Sequence, residues 1–104
     1  MGIFGSGVSE VNEPWGTYTL IDVRSKSEWD EGHINGAILI PHTQIEQKIA
    51  DYVSDKNYPI KLYCRSGHRA SIAEDALKVM GYQNVVNLGG YNSAKKLIKD
   101  APAE

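Results

Sequence analysis

Four short runs of β-branched and apolar residues, separated by segments with helical spacing, limit this chain's fold more than any other feature. Tyr18-Thr19-Leu20-Ile21-Asp22-Val23 reads as a buried strand. Ser27 to Glu31 follows as a short helical turn, with Ser25 and Ser27 as candidate N-caps, Glu28 suited to the first turn and Gly32 as the stop. Ala37 to Ile40 is a second strand, closed by Pro41, which cannot donate to a ladder. Thr43-x-x-Glu46 predicts a capping box opening a helix that carries Ile45, Ile49 and Val53 four residues apart. After the polar loop Ser54 to Pro59, Ile60 to Tyr63 is a third strand running straight into Cys64.

The spacing predicts a helix over Arg69 to Met80, with Ile72, Ala73, Ala76, Leu77 and Met80 on one face and Gly81 as its stop. Asn84 to Leu88 is a fourth strand, Gly89-Gly90 a turn, and Ser93 to Lys99 a last helix. This alternation predicts an α/β fold, with a central, mostly parallel sheet of four to five strands flanked by helices on both faces. Residues 1–16, rich in Gly, Ser, Asn and Pro, read as a loose lead-in, residues 17–100 as one domain and 101–104 as a tail. A length of 104 residues fits one domain, which at this size buries about two-thirds of its unfolded surface.

The net charge of −2 gives no reason to expect nucleic acid or an anionic membrane as partner. The single cysteine excludes an internal disulfide and a thiolate-built structural zinc site, and the three histidines lack metal-ligand spacing, so no metal is expected. No apolar run approaches the roughly 18 residues of a membrane span. The first eight residues hold neither a basic segment nor an apolar stretch of the signal-peptide kind. The lack of an apolar excess points to a monomer.

In parallel sheets ligands sit beyond the carboxyl ends of the strands, and Asp22, Pro41, Cys64 and Gly89 all fall there. Cys64-Arg65-Ser66-Gly67-His68-Arg69 joins a strand to a helix. A loop curled around the sulfur would turn its backbone N–H groups inward as an anion nest, at the positive end of the following helix. Arg65, His68 and Arg69 add cations, and Gly67 permits a positive φ. Such surroundings lower a thiol pKa from its usual ~8.5. A lowering of two units requires about 2.7 kcal/mol of preference for thiolate. One or two charge-assisted amide hydrogen bonds, at roughly 1.5–3 kcal/mol each, supply that. A lone cysteine is commonly an inert buried hydrophobe. Placement after a strand, before a helix and beside two arginines makes a reactive thiolate the stronger reading here.

Three ordered motifs resemble the rhodanese-like domain family. Asp22-Val23-Arg24, Glu28, Gly32-His33-Ile34-x-Gly36-Ala37 and Ile40-Pro41 resemble its first signature, and Tyr63 to Ala70 resembles its active-site loop. Gly81-Tyr82-x-Asn84-Val85 and Leu88-Gly89-Gly90 resemble its later strand and turn. The resemblance covers about residues 18–97 and the layout is similar to the small single-domain sulfurtransferases. It implies a single rhodanese-like domain in which the Cys64 thiolate takes the sulfane sulfur of thiosulfate, releases sulfite and passes the persulfide sulfur to cyanide or a thiol. No cofactor is implied beyond that covalent persulfide. The alternative is a carrier or regulatory module loaded by a protein persulfide donor, with little thiosulfate activity. A periplasmic location follows if a leader has been removed, and a cytoplasmic one otherwise. The fold's phosphatases and arsenate reductases resemble one another in a Cys-x5-Arg loop. Here Arg69 gives Cys-x4-Arg and the next position is Ala70, which favours sulfur over phosphate.

Within the loop, Arg65, Ser66, Gly67, His68 and Arg69 are the candidate substrate-binding groups around the candidate nucleophile Cys64, with Arg65 expected to touch the donor anion. Asp22 and Arg24 are expected to organise the site as a pair, since a buried carboxylate needs a partner. His68 is expected to bind anion or shape the loop, His33 to hydrogen-bond in a turn, and His42 to lie at the surface. Trp29 and Tyr63 are expected in core or pocket wall, and Lys95, Lys96 and Lys99 on a solvated helix face.

Overall fold

The computed structural model describes residues 10–13 and 16–98. Its elements are β1 (Glu10–Glu13), β2 (Gly16–Asp22), α1 (Lys26–Glu31), β3 (Ile38–Leu39), α2 (Ile45–Tyr52), β4 (Ile60–Cys64), α3 (His68–Val79), β5 (Val85–Gly90) and α4 (Tyr91–Leu97). The sheet order is β1-β2-β4-β5, with β3 also on β2. The pairs β2–β3, β2–β4 and β4–β5 are parallel, and β1–β2 is antiparallel.

Side chains alternate across this sheet, and two cores result. Ile60, Leu62 and Cys64 of β4 pack with Ile21, with Ile45 and Ile49 of α2, and with Ala70, Ala73 and Leu77 of α3. Tyr63 faces the other way and packs with Tyr18 and Leu20 of β2, Ile34, and Ala94 and Ile98 at α4. Helices therefore cover both faces, and the carboxyl ends of β2, β4 and β5 share one edge.

Five details differ from the sequence reading. Part of the lead-in, Glu10–Glu13, is an edge strand paired to β2, from Glu10 opposite Thr19 to Glu13 opposite Gly16. Glu-Val-Asn-Glu carries no strand pattern of its own, so the pairing arises from the backbone of β2. The Thr43–Glu46 capping box does not form. A single 3-10 turn over His42–Gln44 intervenes, and α2 starts at Ile45 with no side-chain cap. The capping box forms at α1, where Ser25 Oγ accepts from the Glu28 N–H and the Glu28 carboxylate accepts from the Ser25 N–H.

Ile72 is 45% exposed, outside the buried stripe of Ala70, Ala73 and Leu77 on α3. Gly89-Gly90 is no turn but the end of β5. Leu62 pairs with Asn87 and Cys64 with Gly90, so β5 carries one extra residue and Gly89 takes φ +91° as a bulge. Consequently α4 begins at Tyr91, two residues before the expected Ser93. Lys95 and Lys96 are exposed on α4, while Lys99 and the tail at 101–104 lie outside the described residues.

Candidate active site

Cys64 ends β4 with its side chain fully buried. Gly67, at φ +101°, turns the chain into α3, and two backbone amides converge on the sulfur. The Gly67 N–H donates to Sγ at 2.9 Å and the Ala70 N–H at 3.4 Å. Gly67 is the N-cap and Ala70 lies in the first turn of the 12-residue α3, whose positive end therefore faces the sulfur. Backbone N–H donors gathered in such a cradle at the positive end of a helix suit an anion. The cradle also needs space behind it. A Cβ at Gly90 would collide with the Arg65 carbonyl oxygen, so the loop backbone lies directly against the end of β5.

The remaining candidate residues divide by position. Arg65, Ser66 and His68 are exposed, and His68 is the first residue of α3. Arg69, expected to hold anion, is turned aside. Its Nη1 and Nη2 donate to Glu28 Oε1 and Oε2 at 2.7 and 2.9 Å. A guanidinium engaged on both branches by a carboxylate presents little to a ligand. Its pKa is raised, chiefly by the Glu28 hydrogen bonds. Glu28, read only as a helix-start residue, thus acts as the strut between α1 and the loop. Its place in the family signature was the available signal.

Asp22 and Arg24 are both buried, and they lie on the Tyr63 face of the sheet, opposite Cys64. Arg24 Nη2 meets Asp22 Oδ2 at 2.7 Å and donates to the Gly32 carbonyl at 2.7 Å, while Arg24 Nε lies 3.0 Å from both Asp22 oxygens. The guanidinium stands 4.6 Å from the Tyr91 ring centroid and 5.6 Å from that of Tyr63. Burial alone would lower its pKa, yet the Asp22 hydrogen bonds and charge outweigh that and raise it. The pair fixes the end of α1 through Gly32, and Glu28–Arg69 ties its first turn to the cysteine loop. Tyr63, the residue before Cys64, is buried and accepts the Ile34 N–H at its hydroxyl, and burial pushes its phenol pKa up. His33 Nδ1 donates to the Trp29 carbonyl at 3.0 Å, and the two rings stack. His42 is half-buried.

Among the described residues no group of three or more His, Cys, Asp or Glu side chains is placed to hold a metal ion. No helix among them is long and apolar enough to cross a membrane.

The Glu28 carboxyl is held down to about 2 from 4.5, first by the Arg69 hydrogen bonds, against the opposing effect of burial. A depressed carboxyl contributes stability that is complete above its unfolded value and lost as the pH falls through its folded one. The strut is therefore expected to weaken between pH 4.5 and about 2. Allowing for partial exposure, the parent should lose roughly 2 kcal/mol more than Glu28→Gln across that window. Denaturant unfolding of both proteins at several pH values checks this, and parallel pH profiles would contradict it.

Residues 8–97 match the Rhodanese-like domain. The chain is 41% identical over 70 residues to the thiosulfate sulfurtransferase PspE of Escherichia coli, covering 67% of each protein. It is 41% identical over 73 residues to the probable adenylyltransferase/sulfurtransferase MoeZ of Mycobacterium tuberculosis, covering 68% of this chain and 18% of that protein. Among solved structures, a rhodanese with anions from E. coli superposes with a TM-score of 0.71 at 38% identity, over 73% of this chain and 89% of the other. With the cysteine loop, its helix and the paired signature residues at one sheet edge, the chain belongs to the rhodanese-like domain family, whose members here support sulfur transfer as its chemistry.

Proposed function

We propose that the protein is a thiosulfate sulfurtransferase with Cys64 as its nucleophile. The observation that carries this reading is the convergence of the Gly67 and Ala70 amides on Sγ at the start of α3. The Cys64 thiolate attacks the outer sulfur of thiosulfate. A new S–S bond forms, the bond to the sulfonate sulfur breaks with its electron pair, and sulfite leaves. Cys64 then holds a persulfide, and the cradle accommodates its negative charge. Cyanide or a thiolate attacks the outer sulfur, and the Cys64 thiolate is regenerated in a ping-pong cycle. The sulfur stays covalently bound throughout, so no cofactor is needed. Arg65 and His68, exposed on the same loop, are the cations available to the arriving anion.

The similarity to the thiosulfate sulfurtransferase PspE and to the rhodanese with anions from E. coli supports this choice of donor. The Cys-x4-Arg spacing supports it against phosphate chemistry, because Arg69 is committed to Glu28 and the next residue is the buried Ala70. A second reading has its own support. In MoeZ the matched region is a small part of a longer protein, as befits a module loaded by a protein partner.

Intact mass of the reduced protein, before and after brief incubation with thiosulfate, tests the proposal. The expected result is a gain of one sulfur atom that cyanide removes. Absence of that gain, with Cys64 still free to alkylate, overturns thiosulfate as donor. Loading from a persulfidated protein would then establish the carrier.

A further inference from the structure

Gly67 is held from three directions. Its N–H donates to Cys64 Sγ, while its carbonyl accepts the Ser71 N–H at 2.9 Å as the first bond of α3. That carbonyl also accepts from Asn87 Nδ2 at 3.0 Å. On its other atom, Asn87 Oδ1 accepts the Gly89 N–H at 2.7 Å. A carbonyl on one side and an N–H on the other leave only one orientation for the amide group. The two glycines it joins are in close approach, since a Cβ on Gly67 would lie 3.3 Å from Gly89 Cα. One side chain thus locks the β5 bulge to Gly67, the residue whose N–H serves the sulfur.

We propose that Asn87 is a positioning residue for Cys64: by gripping the Gly67 carbonyl it aims the Gly67 N–H at the thiolate. The proposal rests on the sulfur-transfer reading only for the use to which the thiolate is put. The second bond to the carbonyl is not needed to satisfy it, because Ser71 already does so. Removing it should therefore change reactivity more than folding. Asn87 bonds to the Gly67 carbonyl and the Gly89 N–H and not to the sulfur, so it acts through Gly67.

Two variants separate this role from simple support of the bulge. Asn87→Thr keeps an oxygen able to accept the Gly89 N–H but is too short to reach Gly67, and Asn87→Ala keeps neither bond. Both leave Arg65, His68 and the Arg69–Glu28 pair in place, so the charges around the loop are unchanged. The readout is the rate of Cys64 alkylation by iodoacetamide across pH, alongside thermal melts. In both variants the profile is expected to move to higher pH, with alkylation about tenfold slower at about pH 6, the scale of one weakened charge-assisted hydrogen bond. Asn87→Thr should melt within a few degrees of the parent. A Thr variant with the parent's alkylation profile, or one whose lost reactivity tracks loss of folded protein, overturns the proposal. Alkylation requires no sulfur donor. Failure of thiosulfate to load the parent would count against the sulfur-transfer reading and leave this comparison intact.

Discussion

Cys64→Ser is expected to form no persulfide with thiosulfate and to lose turnover by roughly four orders of magnitude or more, while remaining folded. Serine is close to cysteine in size, and its oxygen can still accept the Gly67 and Ala70 amides. What disappears is the nucleophile, because a hydroxyl without an adjacent base does not ionise near neutrality. Cys64→Ala is the informative contrast. It leaves both amides without their acceptor beneath a buried site, and should cost about 1–3 kcal/mol of stability that serine does not. Sulfur loading by intact mass and thermal melts of the three proteins check both parts. Sulfur transfer by the serine variant at the parent's rate would remove Cys64 from the mechanism.

The largest effect on stability is expected from Asp22→Ala. Arg24 would keep its guanidinium buried beside Tyr63 and Tyr91 with the carboxylate gone and, among the described residues, only the Gly32 carbonyl left to accept from it. Breaking a buried pair from one side costs roughly 3–5 kcal/mol, against a total of about 5–15 for a domain. The variant should be marginally folded. Replacing both partners, as in Asp22→Leu with Arg24→Met, removes the stranded charge and is expected to recover much of the loss. Denaturant unfolding of single and double variants measures this. A single variant within about 1 kcal/mol of the parent would show that the pair does not hold the site together.

The sequence shows most clearly what neighbouring residues determine. The β-branched runs mark the parallel strands, and Gly67 between Cys64 and α3 announces the tight turn around the sulfur. Ser25 and Glu28 sit three apart and form the capping box that Thr43 and Glu46, equally spaced, do not. There Pro41 starts a 3-10 turn that displaces the helix start. Features that depend on distant partners are harder to see. Arg69 and Glu28 are 41 residues apart, and nothing local to the loop says that the arginine faces a carboxylate rather than a substrate. Asn87 is an ordinary strand polar residue until Gly67 is packed over it, 20 residues away in the chain. The bulge at Gly89 resembles a turn because glycine serves both, and only pairing with β4 distinguishes them.

The close seat of the Arg65 carbonyl on Gly90 also bears on how the chain folds. The sulfur's cradle is complete only when β5, the last strand, has docked on β4 and α3 has closed over both. Parallel pairing of this kind joins remote stretches and comes late in assembly. A chain still lacking β5 would carry a commonplace thiol. Thiol reactivity measured during refolding should therefore appear with the final cooperative step, making the cysteine a built-in gauge of completed folding.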